Sequence, residues 1–249
     1  MKRYNALQLK LFMSILMVFD HLNHVPRLIS ADLAGVFHIL TRCVSVFFAY
    51  MAIEGFVYTR SRLKYNGRLF LWAGIMSLGN NLFTDLYTSK GIYVSNNIFL
   101  TLAMGILALN IWYFVTNGNK LNAKFLLGIK IIIGIVVTGV GMFFTEGGIV
   151  VIPFMLICYG FRNKIKVRNL VLSIFSILLF LMSYQDMGIW QDTVRMLMFN
   201  SDWFFISVIP FLYLYNGERG PKSVLSKYFF YTFYPAHLWI IATIAFFVS

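Results

Sequence analysis

Apolar stretches long enough to cross a lipid bilayer occupy most of this chain, and they constrain its fold more than any other feature. A helix that crosses the ~30 Å hydrocarbon core needs about 20 mostly apolar residues. The 249 residues therefore predict an all-α fold, a polytopic transmembrane helical bundle of about nine spans, with eight or ten as alternatives. The stretches run approximately from Ala6 to Pro26, Gly35 to Thr59, Leu69 to Tyr87, Asn97 to Val115, Phe125 to Phe144, Gly147 to Phe161, Leu170 to Ser183, Trp203 to Tyr215 and Tyr228 to Val248.

The charged residues indicate how the spans are oriented. Only 12% of the residues are charged, a poor composition for a soluble domain. Spans of ~20 residues with short connections leave no room for a separate soluble domain, so we predict one integral domain over residues 1–249. The net charge of +12 comes mainly from lysines and arginines in alternate loops. This distribution predicts a cytoplasmic N-terminus and an outer C-terminus. It indicates membrane lipids, and not nucleic acid, as the partners of the basic residues.

Several ionisable residues interrupt the apolar stretches, above all Asp20, His21 and Arg42 near the start of the chain and His237 near its end. A charge in the hydrocarbon costs about 3 kcal/mol, so such residues usually face a partner, a cavity or a substrate. Asp20 and His21 point about 100° apart on a helix and are not expected to form a direct dyad, whereas Arg42 can pair with Asp20. Other polar residues predicted near the same outer half are His24, His38, Asn80, Asn81, Asp85, Asn96 and Asn97.

Several segments of the chain carry short sequence motifs that together form a recognisable pattern. The specific part is C-terminal, where Asn216-Gly217-Glu218-Arg219-Gly220 is followed by the aromatic run from Lys227 to Leu238. Earlier segments agree with it: Met17 to His21, Arg42 with Phe47-Phe48-Ala49, Glu54 to Arg60, and Asn97 to Leu107. Together these segments resemble the TraX family of membrane proteins from end to end, although residues 120–201 match only as hydrophobic helices.

The resemblance implies an integral membrane acyltransferase, because the family's named member acetylates the N-terminus of pilin subunits. It also implies acetyl-CoA as the acyl donor, taken from the cytoplasm, and a multi-pass protein of the bacterial cytoplasmic membrane. The implied acceptor is an amine or hydroxyl of an envelope-associated molecule, either a pilin N-terminus, a cell-surface glycan or a lipid. In the wider group of membrane acyltransferases that TraX proteins resemble, an intramembrane histidine assists the transfer and arginines bind the phosphates of coenzyme A.

Candidate residues follow for each part of such a reaction, which needs a base, oxyanion donors and a cationic place for phosphates. His21 or His237 is the predicted base, and Asp20 is predicted to orient it. Substrate and cofactor contacts are assigned to Arg42, Arg60, Arg68, Asn80, Asn97 and Tyr234. No metal is predicted. The basic clusters that begin at Arg60 and at Arg162 are also explained by membrane topology and lipid headgroup contacts.

Two other functions are compatible with the same residues. In a proton-coupled transporter or flippase, Asp20, His21, Arg42 and His237 would relay protons or bind a substrate near the midplane. In a structural membrane subunit, the polar residues would only hold helices together. The aromatic run and Pro235, which is predicted to kink the last span, fit any of the three functions.

Overall fold

The chain is all-helical in the computed structural model, which describes residues 3–113, 120–221 and 223–249. Within these ranges it forms eleven α-helices and three short 3-10 segments, at Leu22–His24, Thr88–Lys90 and Ser201–Val208. The α-helices are α1 (Ala6–His21), α2 (Ala31–Leu40), α3 (Arg42–Tyr58), α4 (Arg62–Tyr87), α5 (Ile98–Trp112), α6 (Lys120–Phe144), α7 (Gly148–Gly160), α8 (Ile165–Ser183), α9 (Trp190–Phe199), α10 (Ile209–Leu214) and α11 (Val224–Val248). The prediction of an all-α fold is confirmed.

Among the described residues, four helical segments are long and apolar enough to cross a membrane. They are Ala31–Tyr58, Lys124–Phe144, Ile165–Ser183 and Tyr228–Val248. A fifth candidate is the pair of α9 and the helical segment Ser201–Leu214, bent by 58° as in a broken span or a re-entrant loop. The chain is therefore a membrane protein by length and composition of its helices, while nine spans and a cytoplasmic N-terminus stay predictions. The end of the fourth predicted stretch, Phe114 and Val115, lies outside the described residues.

The second predicted stretch is divided into two helices, α2 and α3, at Thr41. The Thr41 hydroxyl lies 3.0 Å from the carbonyl oxygen of His38 and 2.7 Å from Oδ1 of Asp20 in α1. Hydroxyl bonds to a preceding backbone carbonyl compete with the regular helical pattern. The division makes Arg42 the first residue of α3 and directs its side chain toward α1.

The connection from α4 to α5 returns into the bundle alongside α4. In this extended segment, the Val94 amide donates to the Thr84 hydroxyl over 3.0 Å. Further along, the Asn97 side chain donates to the Ala73 carbonyl over 2.9 Å. Asn97 also caps α5 by accepting from the Leu100 amide. Helix α5 therefore begins beside the middle of α4, and the polar ends of the connection are brought inside the bundle.

The core lies where α3, α5 and α7 meet. Phe47, Ile106 and Phe154 are fully buried there. Gly105 permits the close approach, because a Cβ at this position would lie 2.4 Å from Sδ of Met155. Dispersion contacts and small residues drive such packing, since lipid supplies little hydrophobic force between helices.

The N-terminal segment is fastened by backbone hydrogen bonds to the turn between α10 and α11. The Tyr4 amide donates to the Leu214 carbonyl over 3.0 Å, and the Ala6 amide donates to the Glu218 carbonyl over 2.8 Å. Gly217 and Gly220 adopt a φ of +86°, which favours glycine. This turn holds the start of α1 beside the start of α11, where an open cavity lies.

Candidate functional site

Asp20 and Arg42 form an ion pair between α1 and α3. Arg42 Nη2 lies 3.1 Å from Oδ2 of Asp20, and the Thr41 hydroxyl donates to Oδ1 over 2.7 Å. The second nitrogen of the guanidinium, Nη1, reaches Asp202 at 3.5 Å. His38 completes the group, with Nδ1 at 3.4 Å from Oδ1 of Asp20. The pairing expected from the sequence is present, and it joins α1, α2, α3 and the segment after α9.

His21 and His237 meet although they lie at opposite ends of the chain. Their ring centroids are 5.4 Å apart, and the His24 ring lies 5.2 Å from that of His21 on the other side. His237 Nδ1 lies 3.0 Å from the Phe233 carbonyl, which fixes the ring. Among the described residues, Nε2 of His237 has no hydrogen-bond partner even though it is buried. A buried polar atom without a partner is unusual and calls for an explanation.

A second carboxylate lies close to this histidine pair. Glu146, in the turn between α6 and α7, accepts a bond from the Tyr234 hydroxyl over 3.2 Å and from the Asn96 side chain over 2.8 Å. It also accepts from the backbone amide of Asn97. Desolvation raises the pKa of Glu146 above its ordinary value. Because the rings of Tyr234 and His237 are 5.6 Å apart, this group borders the histidine pair.

Asn80 and Asn97 have their polar atoms occupied by the protein. Asn80 donates to the Asn96 carbonyl over 2.8 Å and accepts from Nε1 of Trp239 over 3.0 Å. Asn97 bonds Ala73 and caps α5, as described above. The two asparagines thus connect helices, and a role as substrate donors would require these bonds to open. Asn81 and Asp85, on α4, lie on exposed positions.

An open cavity of about 540 Å³ lies between the starts of α1, α4 and α11. Its polar wall carries the cations Lys10, Arg68 and Arg219 and the carboxylate of Glu54. Within the described residues, Nε of Arg68 is buried without a hydrogen-bond partner. The volume of the cavity is within the range of small-molecule sites. The cations of its wall suit an anionic group.

A narrower cavity of about 40 Å³ adjoins the first, and we call it the neck. The two cavities share the lining residues Phe48, Phe99, Leu102 and Phe230. The other residues that line the neck are Ser14, Met17, Ile98, Phe233 and Tyr234. His237 stacks on Phe233 with ring centroids 5.2 Å apart. The neck therefore adjoins the cationic cavity and is lined by Phe233 and Tyr234, whose rings contact His237, although His237 itself does not line it.

The predicted phosphate ligands separate into two groups. Arg68 lines the cavity, whereas Arg60 is exposed and does not line it. In the second basic cluster, Arg162 lies over the Tyr159 ring at 4.6 Å and Arg168 is buried beside Asn169. The structure thus brings Arg68 to the cavity and leaves Arg60 apart from it.

A comparison with protein families agrees with the resemblance found in the sequence. The model of the family described as TraX protein matches residues 6–245, nearly the whole chain. The chain belongs to the TraX family. No curated protein and no solved structure matches it. Membership is consistent with a pilin-related membrane protein.

The segments that carry the TraX resemblance surround the two cavities and the histidine pair. Met17 and Tyr234 line the neck, and Glu54 and Arg219 line the larger cavity. His21 contacts His237, which stacks on the neck residue Phe233. Segments far apart in the sequence thus lie around one region of the bundle.

Sequence reasoning missed several residues of this region, notably Glu146, Lys10 and Ser14. Glu146 lies between two apolar stretches, where an acidic residue is typical of a loop. Lys10 reads as a charge near the membrane surface, and Ser14 as one small polar residue in an apolar helix. The available signal was that Lys10, Ser14 and His21 follow at helical intervals on α1 and so share a face.

Proposed function

We propose that this protein is a membrane-embedded acetyltransferase. It transfers an acetyl group from cytoplasmic acetyl-CoA to an amine or hydroxyl of an envelope-associated acceptor, such as a pilin N-terminus, a cell-surface glycan or a lipid. The proposed location is the bacterial cytoplasmic membrane. Family membership supports this activity, because the TraX family is associated with F-pilin acetylation. The observation that carries the proposal is the cationic cavity whose neck is lined by the ring neighbours of His237, a histidine whose Nε2 has no hydrogen-bond partner among the described residues.

The larger cavity fits the chemistry of coenzyme A. Its phosphates would meet Lys10, Arg68 and Arg219, because cations that project into a partly enclosed cavity bind phosphate oxygens strongly. Apolar side chains such as Leu69 and Leu102 would contact the pantetheine arm. The neck, with a volume of about 40 Å³, would receive the thioester end. The acyl group would then lie next to Phe233 and Tyr234, within one side chain of His237.

His237 would act as the base at this point. As the nitrogen or oxygen of the acceptor forms a bond to the acyl carbonyl carbon, Nε2 of His237 accepts the proton that the acceptor loses. The carbon–sulfur bond breaks, and the same proton then goes to the sulfur of the departing coenzyme A. General base catalysis of this kind contributes roughly 10²–10⁴-fold to a rate. The ring centroid of His21 lies 5.4 Å from that of His237, so His21 would affect the proton transfer through its contact with the His237 ring. Asp20 is bonded to Arg42 and would affect the transfer only indirectly.

A proton-coupled transporter remains the second candidate. The observation in its favour is the ion-pair group of Asp20, Arg42 and His38 beside a bent helix pair, a combination that occurs in transporters with broken helices. Transport would move substrate and protons without any covalent product. Acetyl transfer consumes acetyl-CoA.

The test is hydrolysis of radiolabelled acetyl-CoA by the purified protein in nanodiscs, with and without envelope extract as acceptor. We expect slow hydrolysis that falls at least 100-fold in a folded His237→Ala variant. Arg68→Ala should raise the KM for acetyl-CoA about 10-fold, as expected for the loss of one charge-assisted phosphate contact. Arg60→Ala is the matched control, and it should leave KM unchanged because Arg60 does not line the cavity. No turnover with either preparation would refute acetyl transfer and favour transport.

A further inference from the structure

Ser14 carries a buried hydroxyl that the protein itself leaves unused. The residue is 3% exposed, and among the described residues its Oγ has no hydrogen-bond partner. A serine in a helix commonly bonds the carbonyl four residues back, and Ser14 does not. Leaving a buried hydroxyl unpaired costs about 1–3 kcal/mol relative to a paired one. Such a group calls for a partner that binds there.

The surroundings of Ser14 identify the place where that partner lies. Ser14 lines the neck, whose other walls include Met17, Ile98 and Phe233. The hydroxyl of Tyr234, which also lines the neck, already donates to Glu146 and accepts from the Ile98 amide. Among the described residues that line the neck, Ser14 therefore carries the hydroxyl that is free to bind a ligand.

Its position on α1 places Ser14 between the two ends of the proposed reaction path. Lys10, one helical turn earlier, lines the larger cavity. His21, two turns later, contacts His237. At a rise of 1.5 Å per residue, Ser14 lies ~6 Å along the axis from Lys10 and ~10 Å from His21. A donor molecule held in the larger cavity would present its thioester end to the neck.

We propose that the neck is the acyl-group subsite and that the Ser14 hydroxyl donates a hydrogen bond to the carbonyl oxygen of the thioester. This inference rests on the proposed function. The bond orients the carbonyl carbon toward His237 and stabilises the negative charge that develops on its oxygen during acyl transfer. It also explains why an unpaired hydroxyl is retained in an otherwise apolar passage.

The test compares Ser14→Ala with Ser176→Ala, a second buried serine that has a partner. The Ser176 hydroxyl donates to the Trp203 carbonyl over 2.6 Å. We expect Ser14→Ala to lower kcat/KM for acetyl-CoA hydrolysis about 10-fold, or ~1.4 kcal/mol, without lowering the melting temperature of the protein alone. Ser176→Ala should lower the melting temperature and leave kcat/KM unchanged, because it breaks an existing bond and Ser176 does not line the neck.

Free coenzyme A separates a carbonyl contact from a change in the shape of the neck, because it has no acyl carbonyl. Its inhibition constant should be the same for the parent protein and for Ser14→Ala. An equal loss for acetyl-CoA and coenzyme A, or no loss for acetyl-CoA, would overturn the assignment of Ser14 while leaving the proposed acetyltransferase intact. If the parent protein itself shows no turnover, the proposed function fails and the Ser14 assignment fails with it.

Discussion

Two carboxylates, Asp20 and Glu146, lie inside this bundle and are held in different ways. Asp20 meets the guanidinium of Arg42 at 3.1 Å and the hydroxyl of Thr41 at 2.7 Å. Glu146 is held by the neutral donors of Asn96, Asn97 and Tyr234. No ion pair to Glu146 occurs within the residues that the structure describes. One carboxylate is thus neutralised by an opposite charge, and the other is only solvated by dipoles.

The difference separates two ways of placing an acid among apolar helices. An ion pair offsets desolvation by Coulomb attraction but becomes a liability when one partner is removed. Neutral donors stabilise a carboxylate less, so desolvation still raises the pKa of Glu146. We infer that Asp20 holds α1 to α3 through its ion pair with Arg42. Glu146 instead joins the turn after α6 to α5 and α11 and takes up a proton more readily.

The largest effect is expected from removing Arg42, which breaks the ion pair between α1 and α3. We expect Arg42→Ala to lower the free energy of unfolding by about 3 kcal/mol, because Asp20 would then be a partly buried charge without its neutralising partner. The measurement is reversible unfolding in mixed micelles. Adding Asp20→Asn to Arg42→Ala should recover much of the loss. Additive losses in the double variant would show that the pair contributes no coupling energy.

Glu146 should instead make the free energy of unfolding depend on pH. Its ordinary pKa is 4.5 and its pKa in the folded protein is higher, so the folded state holds the proton more tightly than the unfolded chain does. The contribution of Glu146 to stability is therefore fully present below pH 4.5 and is lost as pH rises through the raised pKa. The loss is at most ~1.4 kcal/mol for each pH unit of that window.

Glu146→Gln should remove this part of the pH dependence, because an amide does not titrate. The measurement is the unfolding free energy of the parent and the variant from pH 4 upward, a range set by the ordinary pKa of about 4.5. The two curves should converge at acid pH and separate as pH rises, with the variant less sensitive. Parallel curves would mean that Glu146 is solvated as well in the bundle as in the unfolded chain.

The sequence predicted the first carboxylate and not the second, for a physical reason. Asp20 interrupts a long apolar stretch, and such an interruption is visible without a structure. Glu146 lies at a break between two stretches, where acids are ordinary. It becomes partly buried because the connection before α5 returns into the bundle and brings Asn97 to it. No local pattern encodes that return.

The helices were easier to predict than their contacts. The predicted stretch Phe125 to Phe144 ends where α6 ends, and the stretch Gly147 to Phe161 differs from α7 by one residue at each end. Apolar length determines these elements. The meeting of His21 and His237 depends on how the first and last helices pack, and nothing in the spacing of either segment specifies a partner so distant in the chain.

The smallest effects come from removing one hydroxyl donor from each carboxylate. Thr41→Val deletes the donor to Asp20, and Tyr234→Phe deletes the donor to Glu146. Each should cost about 1 kcal/mol near neutral pH, the usual contribution of one hydrogen bond. Unfolding free energies of both variants, measured over the same pH range as for Glu146→Gln, give the comparison.

The pH dependence of the two losses is what distinguishes the carboxylates. The cost of Tyr234→Phe should grow as pH rises, because the lost hydroxyl stabilises the charged form of Glu146 and its removal raises the pKa of that carboxyl further. The cost of Thr41→Val should stay nearly constant above pH 4.5, since Arg42 continues to neutralise Asp20. If both costs rose together, the arginine would not shield Asp20, and the two carboxylates would be dipole-solvated groups of one kind.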